Sequence, residues 1–239
     1  MQISEYAVVI NCIPYGENDA IVTVFSENHG ALKGFVRRVK SSKKQTIFVV
    51  GNALKINYLQ REGAMGSITG ESYKMYIYSC INTQAKMKLI LAICSCLNIT
   101  FGNNEKGESG DLFKFLMLYL EGIKHDLPLN ENIFNLSLLI KQILDFCGYA
   151  FRLNKCIATG TDNIDDLVFL SPKSAASVCK KSGMEYENLM FRLPKAFITN
   201  NYNDINNYDD VKNCIKIVDF FISKNFNKQV DELKWLISA

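Results

Sequence analysis

The 239-residue chain has only two histidines, one tryptophan and four prolines. No uninterrupted apolar stretch reaches the roughly 18 residues that a membrane-spanning helix needs. The nearest, residues 87–101, contains Ser, Asn and Thr, which favours a buried helix of the core. MQISEYAVVI shows no signal-peptide pattern, and the eight cysteines are scattered, mostly in apolar runs. We therefore expect reduced thiols and a cytoplasmic location.

Motifs of catalysis are also missing. The chain contains no GxxxxGK[ST] phosphate loop, no HExxH and no HxE with PCxxC. The acidic doublets Asp165-Asp166 and Asp209-Asp210 could bind a metal ion, but they lie at turns or helix starts, where carboxylates commonly cap backbone amides. We expect a binding protein that is not an enzyme, with a metal-dependent nucleic-acid enzyme as the less favoured alternative.

Acidic residues are absent from the segment that runs from Lys33 to Lys44, which holds six cations. Residues 1–78 carry nine Lys and Arg against six Asp and Glu, whereas the remainder carries eighteen of each. Such a cluster suits a sugar-phosphate backbone, and binding of this kind weakens steeply with salt. The alternative is a solvated loop without a partner. The candidate nucleic-acid-binding residues are Lys33, Arg37, Arg38, Lys40, Lys43, Lys44 and Phe35.

Aromatic side chains could add platforms on which bases stack, each worth roughly 1–3 kcal/mol. Phe35, Tyr58 and Tyr73 are the candidates, although an aromatic residue of a small barrel more often belongs to its core. If Arg37 and Arg38 lie on a strand, they point to opposite faces, so only one of them reaches the binding surface unless a bulge intervenes.

Five short segments rich in Val, Ile, Tyr and Phe fill the first 78 residues, separated by turn-forming stretches. This spacing predicts a small closed or partly open β-barrel, with a bulge near Gly34. The segments are EYAVVINCI, AIVTVFSE, ALKGFVRRV, TIFVVGNALKINYLQ and GSITGESYKMYIY.

Beyond residue 80 the apolar residues recur at intervals of three and four, which predicts helices. The fold class is therefore α+β: a five-stranded OB-type barrel over 1–79, followed by a mainly α-helical domain over 80–239. The helical segments are AKMKLILAICSCL, SGDLFKFLMLYLEGIKH, NENIFNLSLLIKQILDFCGY, YDDVKNCIKIVDFFISKNF and QVDELKWLISA.

Two ordered patterns carry a family resemblance. The first is an opening strand, then PYGE with Asp19, an apolar strand, Ser26-Glu27, Gly30 and the basic segment. The second is LLIKQILDFCGYAFRLNKCIATG, continued by DDLVFLSPKSAASVCKKSG and RLPKAFI. Together they resemble RecO, the family of bacterial recombination mediators and DNA repair proteins.

The resemblance implies an OB-type barrel that binds single- and double-stranded DNA and anneals complementary strands. It also implies action with RecR, and usually RecF, to load RecA onto DNA coated by single-stranded-DNA-binding protein, without bond-making chemistry. An RNA-binding OB module linked to translation is the alternative, because charge alone does not separate RNA from DNA.

In this family the helical domain receives the acidic C-terminal tail of the single-stranded-DNA-binding protein. The tail ends in a hydrophobic residue and a carboxylate, so its receptor needs an apolar pocket rimmed by cations. The sequence does not choose among the available lysines, which are Lys114, Lys124, Lys141 and Lys155.

Many RecO proteins carry a zinc site made of two Cys-x-x-Cys pairs. Here those stretches read Cys156-Ile157-Ala158-Thr159 and Cys179-Lys180-Lys181-Ser182, so each has lost its second cysteine. Two thiolates with two hydroxyls make a poor zinc site. We expect no metal and no cofactor in this degenerate hairpin at about 150–200, and a hydrogen-bonded turn at Thr159-Gly160 instead.

Overall fold

The computed structural model describes residues 1–41, 44–102, 109–125 and 127–238. The chain divides into two compact units, Met1–Asp126 and Leu127–Ala239. The division proposed from the sequence, 1–79 and 80–239, follows the change from strands to helices instead. Residues 80–126 are part of the compact unit that contains the barrel.

Five strands form a closed barrel in the order β1-β2-β3-β5-β4, which confirms the OB-type architecture. Neighbouring strands are antiparallel except β3 and β5, which pair in parallel through Gly34–Gly66 and Phe35–Ser67. The strands are β1 (Gln2–Tyr15), β2 (Asp19–Ser26), β3 (Gly30–Val36), β4 (Ala53–Leu59) and β5 (Gly66–Lys74).

The barrel forms because alternate residues of each strand are apolar and turn inward. Val22 and Val24 of β2 and Leu32 and Val36 of β3 lie in one buried cluster. Ile56 of β4 lies in the same cluster, so every described strand from β2 to β4 contributes to the interior. The opposite parity faces away from the barrel interior: part of it is covered, as at Phe25, whose ring packs against Phe101, and part of it is exposed, as at Ile13.

Three details of the strand prediction were wrong. TIFVV is not a strand: residues 44–47 form the short helix α1 (Lys44–Ile47), and Phe48 is buried in the barrel core. Gly34 is not at a bulge, because β2 and β3 pair without interruption from Ala20–Val36 to Ser26–Gly30. The last strand ends at Lys74, and YIYS forms the helix α2 (Tyr76–Ser79).

Two long helices complete the first unit, α3 (Gln84–Phe101) and α4 (Gly110–Lys124). Helix α3 is long and apolar enough to cross a membrane, but half of that window is buried within the protein. It packs against β1, and Cys94 and Cys96 are fully buried, as expected for a core helix. Glu121 of α4 accepts hydrogen bonds from Lys74 and from the Tyr76 hydroxyl.

The second unit is built around two long helices that pack together, α5 and α8. A small sheet in the order β7-β6-β8 holds the hairpin of the degenerate zinc region. The elements are α5 (Leu129–Phe146), β6 (Phe169–Leu170), β7 (Ser177–Val178), α6 (Lys180–Gly183), β8 (Phe191–Arg192), α7 (Lys195–Thr199), α8 (Tyr208–Phe226) and α9 (Asp231–Ser238).

Candidate nucleic-acid interface

The outward side chains of the first three strands form one continuous surface. Ile13 of β1 lies opposite Ile21 of β2, and Ile21 lies opposite Phe35 of β3. The Tyr15 ring stands edge-on to Phe35, with the centroids 5.5 Å apart. Lys33 lies on the same outward parity of β3. We call this surface the β1–β3 face: Ile13, Tyr15, Ile21, Lys33 and Phe35.

Apolar and aromatic side chains dominate the β1–β3 face, although it lies on the outside of the barrel. Tyr15 is 57% exposed and Ile13 is 48% exposed. An exposed ring held edge-on by a second ring keeps one π-face open, on which a base can stack.

The basic segment continues from this face as a turn. β3 ends at Val36, so Arg37 and Arg38 both lie in the turn and both are exposed. The constraint that they point to opposite faces of a strand therefore does not apply. We call this segment the cationic turn: Arg37, Arg38, Lys40 and Lys44, whereas Lys43 lies outside the described residues.

Backbone contacts with the preceding loop hold the cationic turn. Asp19, at the start of β2, accepts a hydrogen bond from the Arg38 amide at 2.7 Å. The Lys40 amide donates to the carbonyl of Asn18 at 3.3 Å. Arg38 has a left-handed backbone with φ of 54°, a strained conformation for an arginine. The Asp19 carboxylate therefore helps to fix the backbone of this turn.

The cations differ in how far contacts within the protein restrict their side chains. Lys44 donates its ammonium to the carbonyl of Arg37 at 2.9 Å, which ties the side chain to the turn without neutralising its charge. Lys33 is half-buried on the β1–β3 face. It lines a groove of about 530 Å³ that lies between β3 and the β4–β5 turn, together with Gln60 and Met65. The structure therefore brings Lys33, Phe35 and the cationic turn to adjoining parts of one barrel surface.

The three aromatic candidates lie in three different environments. Phe35 lies on the β1–β3 face, but Tyr58 is only 4% exposed and belongs to the barrel core, so its proposed stacking role was wrong. Tyr73 is exposed on β5, where its ring lies 4.6 Å from that of Tyr6, outside the β1–β3 face. Sequence reasoning missed Tyr15, although its alternation with Ile13 before a turn indicates an outward position.

The degenerate zinc region contains a sulfur–hydroxyl cluster. The Cys179 amide donates to Sγ of Cys156 at 3.2 Å, and Cys179 Sγ lies 3.6 Å from the hydroxyls of both Thr159 and Ser182. Burial raises the pKa of the Cys156 thiol, but hydrogen bonds from the Thr159 hydroxyl and nearby backbone amides outweigh it and lower the pKa to about 6.

This cluster does not fit a structural zinc ion, because two of its four groups are neutral hydroxyls. Among the described residues, no group of three His, Cys, Asp or Glu side chains could hold a metal ion. The predicted turn is present: the Gly160 amide donates to the carbonyl of Cys156 at 2.9 Å. That the purified protein holds no zinc stays a prediction.

The acidic doublets make contacts of a structural kind. Asp165 accepts from the Lys195 ammonium at 2.8 Å, and Asp166 accepts from the Asn163 side chain at 3.0 Å. Asp210 accepts from the Asn206 amide at 2.9 Å and lies in the first turn of α8. These carboxylates stabilise turns and a helix start.

Comparison with known proteins agrees with this architecture. The family model "Recombination protein O N terminal" matches residues 1–76, and "Recombination protein O C terminal" matches residues 83–233. The chain belongs to the RecO family. The resemblance found in the ordered motifs is thereby confirmed, and with it a RecO-family role in DNA repair.

Among RecO-family relatives, the chain is 28% identical to the "DNA repair protein RecO" of Rickettsia conorii, over 97% of this chain and 94% of the relative. It is 30% identical to that of Rickettsia felis, over 83% of this chain and 81% of the relative. A third, from Rickettsia bellii, is 28% identical over 94% of this chain and 89% of the relative.

The cationic turn generates the first prediction. Replacing Arg37 with Ala and Arg38 with Gly should weaken binding of single-stranded DNA roughly tenfold at low salt and reduce the log–log salt slope by about 1 to 2. Glycine at position 38 also relieves the left-handed backbone, so the variant should remain folded. Fluorescence anisotropy across a salt series measures both quantities.

The matched control for this variant is Lys55→Ala with Lys124→Ala. It removes two positive charges from exposed positions outside the β1–β3 face and the cationic turn. It should retain affinity within about threefold. Equal losses in the two variants, or no loss in either, would contradict a site at the cationic turn.

The sulfur–hydroxyl cluster generates the second prediction. Tetrahedral zinc with bonds of about 2.3 Å places its sulfurs about 3.8 Å apart, close to the 3.6 Å separations found around Cys179. The variant Thr159→Cys with Ser182→Cys should therefore bind one zinc ion per chain, whereas the unmodified protein binds none. Metal analysis and cobalt(II) absorption measure metal binding by the variant and by the unmodified protein. The double variant Ser174→Cys with Ser182→Cys is the control. Zinc in the unmodified protein would overturn this account.

Proposed function

We propose that this protein is a recombination mediator that binds single- and double-stranded DNA and anneals complementary strands. The supporting observation is that an exposed aromatic face and a cationic turn adjoin on one side of an OB-type barrel in a RecO-family chain. Cations hold phosphates whatever the base sequence, and open rings accept any base. Such a surface fits a protein that must act at many sites in a genome.

This role depends on partner proteins and involves no catalysis. The protein would act with RecR, and in some settings RecF, to promote loading of RecA onto DNA coated by the single-stranded-DNA-binding protein. It would do so by holding DNA strands and contacting proteins, not as an enzyme. No step of bond making or breaking is assigned to any residue of the chain.

A receptor for the acidic tail of the single-stranded-DNA-binding protein has a candidate place within the second unit. Lys141 of α5 borders two cavities of about 550 Å³ and 280 Å³. Its ammonium donates to the carbonyl of Phe197 at 2.6 Å and to Oδ1 of Asn200 at 2.8 Å. The larger cavity combines apolar walls with the cations Lys141 and Arg152, and the carboxylate of Asp162 also lines it. The walls are Phe151, Leu153, Ile164 and Ile198.

Burial lowers the pKa of Lys141 to about 8. A bound carboxylate favours the protonated amine, so the tail should bind Lys141 best below that pKa. Arg152 lines the same cavity and is a second cation for the tail. Because Lys141 is one of two cations in this cavity, loss of its proton should reduce binding of the tail in part rather than abolish it.

The function is tested by annealing complementary oligonucleotides that are precoated with the cognate single-strand binder. The protein should accelerate annealing at low salt, and the Arg37→Ala/Arg38→Gly variant should be about tenfold slower. The Lys55→Ala/Lys124→Ala variant serves as the charge-matched control. Complementary RNA strands in a parallel reaction test nucleic-acid preference. Annealing no faster than the spontaneous reaction would contradict the proposal.

The tail receptor gives a prediction of its own. The affinity for a peptide with acidic residues and a hydrophobic C-terminal residue should fall up to about tenfold between pH 7 and pH 9, as Lys141 loses its proton. The Lys141→Arg variant should show a much flatter pH profile, because arginine stays charged. Isothermal titration calorimetry measures both. The same pH dependence in the variant would rule out Lys141 as the titrating cation.

A further inference from the structure

A second set of cations converges in the second unit, around the turn that joins β6 to β7. The Lys224 ammonium donates to the carbonyls of Pro172 and Lys173, at 2.7 and 3.3 Å. Nη2 of Arg152 donates to the carbonyl of Ser174 at 3.2 Å. Lys173 itself is exposed within the turn. We call these three residues the hairpin patch: Arg152, Lys173 and Lys224.

The turn that gathers these cations has a defined backbone geometry. The Ser171 and Ala176 backbones are joined by a 3.0 Å hydrogen bond, and Ala175 has a left-handed φ of 52°. Three consecutive carbonyls, from Pro172 to Ser174, therefore point to donors that come from distant parts of the chain. This arrangement holds two long side chains in place, which lowers the entropy that a ligand must remove when it binds them.

The charges of the hairpin patch remain uncompensated. The described part of the protein contains no carboxylate within ion-pair distance of Arg152, Lys173 or Lys224. Backbone carbonyls orient these cations but carry no net charge. Like charges held together without a counterion repel one another, and an anion that lies across them removes the repulsion.

An exposed aromatic ring lies at the end of the helix that carries Lys224. Tyr149 is 41% exposed, and its ring stands edge-on to Phe226, with centroids 5.6 Å apart. Phe226 is the last residue of α8, two positions beyond Lys224. Within this unit, the phosphates of a nucleic-acid strand could bind the cations of the hairpin patch and a base could stack on the open Tyr149 ring.

We propose that the hairpin patch binds the phosphate backbone of a second nucleic-acid strand while the barrel holds the first. The inference rests on the proposed annealing function and deepens it. Annealing requires two strands to be brought to the same protein. With one surface in each unit, a single chain can carry both strands, whereas a chain with the barrel surface alone would need a second copy.

The test uses two short non-complementary oligonucleotides of about twelve nucleotides, each labelled with a different fluorophore. The wild-type chain should form complexes that contain both strands, detected by native mass spectrometry and by two-colour coincidence of the labels. The variant Lys173→Gln with Lys224→Gln should bind one strand within about threefold of wild type, lose the second, and anneal about tenfold more slowly. Glutamine at 224 keeps a donor for the turn carbonyls.

The matched control is Lys212→Gln with Lys216→Gln, which removes the same charge from α8 and should behave like wild type. If the test variant does not fold, Lys173→Gln alone, which changes only an exposed side chain, should still reduce second-strand occupancy. Unchanged occupancy and annealing in the folded test variant would overturn the inference. So would loss of acidic-peptide binding with the second strand retained, which would make the patch a protein-binding surface.

The wild-type results separate this inference from the proposed function. A wild-type chain that accelerates annealing but never holds more than one strand would overturn the hairpin patch alone. A wild-type chain that binds no strand and does not accelerate annealing would overturn the proposed function and this inference with it.

Discussion

The closing contact between β3 and β5 sets the geometry of the β1–β3 face, the candidate nucleic-acid surface. A Cβ at Gly34 would lie 2.7 Å from Cγ1 of Ile68, and a Cβ at Gly66 would lie 2.3 Å from the Tyr58 ring. Both distances are shorter than side-chain carbons tolerate, so the two glycines permit the parallel pairing that closes the barrel. That pairing directs Leu32 and Val36 inward and leaves the alternate residues of β3 outside.

The positions of the cations also follow from which residues of β3 face outward. β3 delivers Lys33 and Phe35 to the outside and then ends, so the following cations emerge in a turn next to the apolar β1–β3 face. Asp19 holds the Arg38 backbone, while both arginine side chains are exposed. A fixed backbone with free cationic side chains suits binding to a flexible phosphate chain without base specificity. The Asp19 carboxylate, which would repel phosphate, instead accepts the hydrogen bond that shapes the turn.

Much of this architecture could be predicted from sequence, because it depends on local patterns. Alternating Val and Ile predicted the strands, and apolar intervals of three and four predicted the long helices. TIFVV misled because β-branched residues favour strands, whereas here α1 and Phe48 pack against the barrel interior. The loss of two cysteines was visible in the motif spacing, and the structure shows hydroxyls beside the remaining sulfurs.

The features that escaped prediction depend on contacts between distant residues. Whether Tyr58 or Tyr15 faces outward is decided by strand pairing, which composition does not reveal. Lys141 meets the carbonyl of Phe197 only after α5 and α7 have packed. The hairpin patch likewise joins Arg152 and Lys224 through a turn between them in sequence. Acidic and basic residues of the second unit are equal in number, so its net charge gave no sign of a local basic surface.

The central claim, that DNA lies along the β1–β3 face and the cationic turn, is tested most directly by lysine footprinting. The free protein and its complex with a single-stranded oligonucleotide are acetylated and the modified sites are quantified by mass spectrometry. The account predicts strong protection of Lys33 and Lys40, with Lys55 on the outward parity of β4 modified equally in both states. Protection of Lys55 with Lys33 and Lys40 unchanged would contradict it.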